Sequence, residues 1–452
     1  MPASIIDSAI FGNLFGTAAM REVWSDENRT RKYLEIEAAL ARVQARLGII
    51  PQQAADEIAR NCRLEKIDMN KLREQTERIG YPVLGVVQQI VAACRDGLGE
   101  WSHWGATTQD ITDTATVLQM KEGLDLIEKD LKALSDSLAK LARKHRDTPM
   151  VARSNLQQAV PITFGFKMAE LLSAVERHRE RLRQLKPRVL VGEFSGAAGT
   201  LASIEKGALE TQEGLMKELG LAQPVIAWHT QRDTIAETGC FLALVAGTLG
   251  KLAMDVKLLM QTEVGEVYEP FAHGRGSSST MPQKRNPVSS LYIHACAATV
   301  RQQAAALLDA MVADHERSTG PWEIEWIVLP EIFVLTAGAL NQAKFVAAGL
   351  EVDEKRMRAN LDLTNGMVVS EAVMMGLAPY LGREHAHDLV YDLCRDALKQ
   401  DKPLLDLLAA NAEITQHVDR KKLAELCDPA NYLGLSGVMV DRVLSQLKES
   451  RP

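Results

Sequence analysis

The chain has 452 residues, of which 46% are hydrophobic, 25% charged and only 5% aromatic, and its net charge is −7 at neutral pH. A chain of this length buries a large core and divides into two or three domains. Mixed charge signs with no basic face argue against nucleic acid, and no run reads as long and apolar enough to cross a bilayer.

Residues 1–109 read as an N-terminal domain of shorter helices, broken at Gly48, Pro51, Gly80-Tyr81-Pro82 and Gly97-Leu98-Gly99. Arg21 lies early in it, in Ala19-Met20-Arg21-Glu22. The run from His103 to Asp110 then sets the Thr107 and Thr108 hydroxyls beside free backbone N–H groups at a helix start. That suits an anion; an ordinary N-cap with Asp110 in the first turn is the equal alternative. Leu124, Ile127, Leu131, Leu134, Leu138 and Leu141 form an i, i+3/i+4 stripe with charged residues between, predicting a long amphipathic helix opened by Thr107–Asp110.

Arg153-Ser154-Asn155-Leu156-Gln157-Gln158 follows as a polar loop ahead of Pro161, suited to a polyanion. A second helix is expected from about 162 to 185, ending before Pro187. Small residues at 192–199 make a loop, and Trp228-His229-Thr230-Gln231-Arg232-Asp233 precedes a third helix at about 233–263. Gln231 is placed to bond a carboxylate, while Arg232 and Asp233 read equally well as an ion pair. Glu263, Glu266 and Glu269 lead into a Ser/Gly loop, and either hold Lys284 or Arg285 or form a solvated acidic turn.

That loop, Gly276-Ser277-Ser278-Ser279-Thr280-Met281-Pro282-Gln283-Lys284-Arg285-Asn286-Pro287, is the most specific signal. A serine beside an ammonium, an amide and the positive end of a helix has an accessible alkoxide. A flexible linker before a capped helix is the alternative. Further helices are expected at about 287–313 and 325–350, with the polar cluster His315-Glu316-Arg317-Ser318 to Glu325-Trp326 between them. Residues 110–350 thus form a central bundle of five long helices, and 351–452 a compact C-terminal helical unit. The fold class is all-α, and helices this long leave apolar faces that call for oligomerisation.

The Ser278-Ser279-x-Met281-Pro282-x-Lys284-x-Asn286-Pro287 loop resembles the signature of the fumarase/aspartase superfamily, whose members eliminate a group β to a carboxylate or run the reverse addition. His103-x-Gly105-Ala106-Thr107-Thr108-x-Asp110 resembles a second element of that family. The resemblance implies Ser278, Lys284 and Asn286 as catalytic residues. It also implies a substrate contact set of Arg21, His103, Thr107, Thr108, Arg153, Asn155, Gln158, Gln231, Ser279, Met281 and Arg317. A homotetramer with sites shared between subunits follows from it too.

Three positions depart from the family pattern, two of them, Asn155 and Trp326, from its nitrogen-releasing branch. Asn155 replaces a histidine assigned there to protonating the leaving nitrogen, and an amide has no titratable proton. Trp326 stands where adenylosuccinate lyases carry a phosphate-binding arginine, and Ser277 where the loop usually has glycine. The pattern His315-Glu316-Arg317-Ser318-x-Gly320-x-Trp322-x-x-Glu325-Trp326 is similar instead to the 3-carboxy-cis,cis-muconate cycloisomerase branch. The expected substrate is a small polycarboxylate, lactonised by proton transfer α to a carboxylate in aromatic catabolism. A C–N lyase releasing fumarate from a succinyl-amine is the alternative, and a non-enzymatic helical scaffold a third. No metal or organic cofactor is expected, and the six scattered cysteines read as reduced thiols of a cytoplasmic protein.

Overall fold

The computed structural model describes residues 4–270 and 274–449. The fold is all-α. Among the described residues, named strands occur only in two antiparallel two-stranded sheets. The helices that position the candidate residues are α1 (Asp26–Arg46), α2 (Met69–Ile79), α3 (Thr108–Lys144), α4 (Phe164–Val189), α5 (Asp233–Leu259), α6 (Val288–Asp309), α7 (Pro321–Gly349), α8 (Ser370–Leu381) and α9 (Arg383–Gln400). The strands are β1 (Pro149–Ser154), β2 (Gln157–Thr163), β3 (Val267–Tyr268) and β4 (Glu351–Val352).

The chain forms two compact units, each discontinuous in sequence. One comprises Met1–Leu131, His178–Gly250 and Tyr292–Gln342. In it, Ser25 caps α1 by accepting from the Asn28 N–H at 3.1 Å, and Asp68 caps α2 through the N–H groups of Asn70 and Lys71. Gly80, at φ +94°, ends α2 in the left-handed conformation that a Cβ disfavours, and Pro82 opens the next helix. Tyr33, Leu34, Ile36 and Leu40 of α1 pack with Ile90, Ile111, Leu118, Phe194 and Leu215 in one core.

The second unit comprises Lys132–Arg177, Lys251–Leu291 and Ala343–Pro452. Its C-terminal core joins Val373 and Leu377 of α8 to Ala386 and Val390 of α9, with Leu404, Leu408, Ile414 and Leu423. The six-residue stripe expected on α3 is buried along its whole length, from Leu124 at 0% to Leu141 at 9% exposure. Burial of each such side chain contributes about 1.5–3 kcal/mol.

Several element expectations need correction. The segment around Arg153 is a β-hairpin rather than a loop capped by Pro161. Asn155 and Leu156 turn it with φ of +51° and +63°, and Ser154 pairs with Gln157. Asparagine tolerates the left-handed region, as tight hairpins require. Helix α4 passes through Pro187, because Leu185 and Val189 are both buried and hold its last turn against the core. Helix α7 begins a turn early, with Pro321 in its first turn and Trp322 buried. Helix α5 is long and apolar enough to cross a membrane by length and composition, contrary to the reading of the sequence. Half of its most apolar window is buried in the protein, as in a core helix.

Candidate active site

The candidate residues fall in both units. In the first, the start of α3 is the organising point. Asp110 is fully buried and accepts four hydrogen bonds. Its Oδ2 takes the N–H of Thr107 at 2.9 Å and of Gly196 at 3.0 Å. Its Oδ1 takes the N–H of Ser195 at 3.0 Å and bonds His229 Nε2 at 2.8 Å. Asp110 is therefore more than the N-cap alternative foresaw: one carboxylate ties the helix start, the glycine-rich loop and the His229 segment together. Thr107 and Thr108 sit at this helix end, where the dipole favours negative charge.

Gln109 extends the arrangement. Its amide donates to the His229 carbonyl at 2.8 Å and to Asp113 at 3.0 Å, while its oxygen accepts from Arg317 at 2.8 Å. The second Arg317 bond goes to the Ala197 carbonyl at 2.6 Å. Both of these partners are neutral, and among the described residues no carboxylate pairs with Arg317. The same holds for Arg21, which donates to the Gly12 carbonyl at 2.8 Å and Asn13 Oδ1 at 2.7 Å. Gln231 is exposed beside this region.

His103 has an unforeseen partner. Glu37 of α1, 1% exposed, meets the His103 Nδ1 at 2.6 Å and its backbone N–H at 3.1 Å, holding the residue at φ +58°. Burial alone would lower the imidazole pKa. The charge and hydrogen bond of Glu37, with the charge of Asp110, outweigh that and raise it above 6.5. Glu37 lies 66 residues from His103, on one of the shorter N-terminal helices, so the local pattern carried no signal for it.

Arg232 is also corrected. It pairs with Asp113 at 2.7 Å and Glu325 at 2.5 Å rather than with Asp233, and Trp322 Nε1 donates to Asp113 at 3.0 Å. All three charged groups are buried. Burial opposes the guanidinium charge, but the two carboxylates outweigh it and keep it protonated. Arg232 is structural in this geometry.

Asp110, Glu193 and His229 bring one ligand atom each within 4.8 Å of one another. Every one of those carboxylates is already satisfied, however. The Glu193 oxygens bond the Ser195 hydroxyl and, at 2.6 Å, the Trp228 N–H. Burial pushes the Glu193 carboxyl upward, against the His229 charge and these bonds. The donor set fits a closed hydrogen-bond network better than a cation.

In the second unit, Ser278 Oγ accepts from the N–H of Met281 at 3.0 Å and of Thr280 at 3.3 Å. The loop is closed by Asn286, whose N–H and side-chain amide both reach the Gly276 carbonyl, at 3.1 and 3.0 Å. Gly276, at φ +69°, leaves no room for a Cβ, which would stand 2.7 Å from the Asn286 carbonyl oxygen. Ser279, Met281 and Lys284 are exposed on the loop. A pocket of about 90 Å³ is lined by Lys284, Asn286 and Ser277, with Met260, Glu269 and Pro282.

The acidic approach segment does not hold Lys284. Glu269 is 5% exposed and caps α6, accepting from the N–H groups of Ser289 and Ser290 at 3.0 and 2.7 Å and from the Ser290 hydroxyl at 2.7 Å. Arg285 reaches the Glu269 carbonyl at 2.8 Å and Glu351 of β4 at 3.0 Å. Arg153 forms a bidentate pair with fully buried Glu266, at 2.7 and 3.0 Å, so its charge is compensated within the protein. Asn155 is exposed at the hairpin tip, and Gln158 donates to the Asn360 carbonyl at 3.0 Å.

The model of a family described as lyase matches residues 15–301, and that of the adenylosuccinate lyase C-terminus matches residues 366–443. The chain is 60% identical to trans-aconitate decarboxylase 1 of Mycosarcoma maydis, over 97% of this chain and 90% of that protein. It is 47% identical to 3-carboxy-cis,cis-muconate cycloisomerase of Pseudomonas aeruginosa, over 97% of this chain and 96% of that protein. The crystal structure of the 3-carboxy-cis,cis-muconate lactonizing enzyme from Pseudomonas putida superposes with a TM-score of 0.93 at 42% identity, covering 98% of this chain and 99% of that one. The chain thus belongs to the fumarate lyase superfamily, as an enzyme of the helical fold its serine loop and helix-start motif imply.

Proposed function

We propose that this enzyme acts on an unsaturated tricarboxylate by moving a proton at the carbon α to a carboxylate, and that it decarboxylates trans-aconitate or a close analogue. The observation that carries the reading is the pair of backbone N–H groups on Ser278 Oγ. Donors at that distance favour the alkoxide over the neutral hydroxyl, with the Lys284 ammonium on the same loop adding positive charge. Such a serine is both a competent acid toward carbon and a competent base in reverse.

In trans-aconitate one carboxylate sits on a CH2 next to the double bond. Loss of CO2 leaves its bonding pair to form a new C=C. The former π pair then takes a proton at the carbon α to the far carboxylate. Ser278 supplies that proton, and its alkoxide is held by the Thr280 and Met281 N–H groups. Charge building on the far carboxylate is met by Asn286 and Lys284. In an oligomer with sites shared between subunits, Thr107, Thr108, Arg317, Arg21 and His103 of neighbouring copies grip the remaining carboxylates. No leaving amine is protonated, so Asn155 suffices where a nitrogen-releasing lyase needs an acid.

Lactonisation of 3-carboxy-cis,cis-muconate is the second reading, supported by the cycloisomerase likeness. There a substrate carboxylate oxygen adds to the double bond, and the same proton reaches the α carbon. Adenylosuccinate should be a very poor substrate, because Trp326 offers no charge to a phosphate and Asn155 no acid. The former loss is worth about 1.5–3 kcal/mol and the latter roughly 10²–10⁴-fold.

The test is incubation of purified protein with each compound. CO2 release from trans-aconitate, with vinylic methylene signals appearing by proton NMR, is the expected outcome. Lactone formation from the muconate with no CO2 from trans-aconitate would promote the second reading. Release of AMP and fumarate from adenylosuccinate would overturn both.

A further inference from the structure

Arg317 stands on the loop between α6 and α7, half-buried, and donates to two neutral acceptors, the Ala197 carbonyl at 2.6 Å and Gln109 Oε1 at 2.8 Å. An arginine on a loop loses much rotamer freedom when its fork is fixed in one direction. These two acceptors do the fixing, and they come from stretches of chain far apart in sequence. One buried carboxylate, Glu193, reaches both stretches.

Glu193 is 1% exposed, and its backbone is fastened to α3. Its N–H donates to Thr114 Oγ1 and its carbonyl accepts from the same hydroxyl, both at 2.8 Å. From this anchored backbone, Oε1 accepts from the Ser195 hydroxyl. Ala197, the first acceptor of Arg317, lies two residues further on. Between them the N–H groups of Ser195 and Gly196 are taken by Asp110, each at 3.0 Å. The other oxygen, Oε2, accepts from the Trp228 N–H at 2.6 Å. The next carbonyl, that of His229, accepts from Gln109 Nε2 at 2.8 Å, which turns the Gln109 oxygen toward Arg317. Gln109 is fully buried, and rotating its amide would strand the His229 carbonyl and break its bond to Asp113. Burying a carboxylate is costly, but its two oxygens accept from two separate stretches at once, which an apolar side chain cannot do.

We propose that Glu193 is the positioning residue for Arg317: through Ser195 and through Trp228 it sets both acceptors of the guanidinium. The fork is thereby held ready for a substrate carboxylate before the substrate arrives. This inference rests on the role given above to Arg317 as a carboxylate-binding group. It makes Glu193 a determinant of affinity, separate from the proton transfer at Ser278.

Propane-1,2,3-tricarboxylate, which has no double bond across which to lose CO2, is the binding probe, titrated by calorimetry into the full-length protein. In parallel, kcat and KM are measured on trans-aconitate and on the muconate. Glu193→Ala should weaken the probe and raise KM by roughly tenfold, with kcat changed by less than about threefold. Glu193→Gln should restore affinity, because its amide accepts from Trp228 and donates to a rotated Ser195 hydroxyl. In an Arg317→Met background the Glu193→Ala loss should largely vanish, since no fork is left to place. Circular dichroism checks folding. If Glu193→Ala does not fold, Ser195→Ala, which removes only the hydroxyl bond, should show a smaller loss with the same dependence on Arg317. Unchanged probe affinity in the folded variant would overturn the proposal. So would a fall in kcat with KM unmoved, a loss of equal size with and without Arg317, or no binding of the probe by the parent. Turnover of neither substrate by a parent whose probe binding still depends on Glu193 would refute the proposed reaction and leave the positioning role standing.

Discussion

At the residue scale, two side chains dominate the expected chemistry. Ser278→Ala removes the proton donor without disturbing a buried contact. Turnover on the true substrate should fall roughly 10²-fold or more, with an unchanged circular dichroism spectrum; a near-parental rate would reduce Ser278 to a loop residue. His103 sets a pH dependence. Its pKa is raised in the folded protein because Glu37 outweighs burial. The stability this contributes is fully present below the unfolded pKa and is lost as pH rises through the folded value. If His103 acts as a cation toward substrate, kcat/KM falls through the same range. Glu37→Gln removes the charge and leaves burial, so the falling limb should move to lower pH. The readout is the pH profile together with the His103 carbon-13 resonance; an unmoved limb despite a lowered His103 pKa would confine the dyad to structure.

At the element scale, the helix starts decide how the loops are held. Glu269 caps α6 from outside the helix, meeting three donors at 2.7–3.0 Å. Glu269→Ala leaves these buried donors unpaired and removes a negative charge from the positive helix end. We expect a loss of about 2–3 kcal/mol, read as a lower denaturant midpoint. The Asp113–Arg232–Glu325 triad, set by α3 and α7 and the lead-in to α5, is more severe. Arg232→Met leaves two buried carboxylates without a cation, a change worth about 3–5 kcal/mol. Little soluble protein is expected, and a stable, fully folded variant would contradict the triad's role. The hairpin β1–β2 was hidden from the sequence for a local reason. Its pattern of amides around Arg153 reads as a polar loop, and only pairing across the Asn155-Leu156 turn makes it a sheet.

At the scale of the whole molecule, α5 and α6 still expose Leu244, Met254, Leu291 and Leu308. These faces, and the superfamily resemblance, lead us to propose a homotetramer. Light scattering should give about four times the 49.7 kDa chain mass; an active, monodisperse monomer would exclude shared sites. The all-α class was legible because the α3 stripe repeats every three to four residues, and burial of that face is what stabilises a long helix. The family motif from Ser278 to Pro287 was legible because its spacing is local and specific.

What the sequence by itself determined is therefore whatever periodicity or close spacing encodes: the long helices, the Ser278–Asn286 loop and the Thr107–Asp110 helix start. What only the tertiary structure decided is which charges cancel. Arg153 is paired with Glu266, Arg232 with Asp113 and Glu325, and His103 with Glu37, across separations of 66 to 119 residues. Arg317 meets only neutral oxygens among the described residues. Electrostatic energy depends on distance in space and on burial, and neither can be read along the chain until the fold has set both.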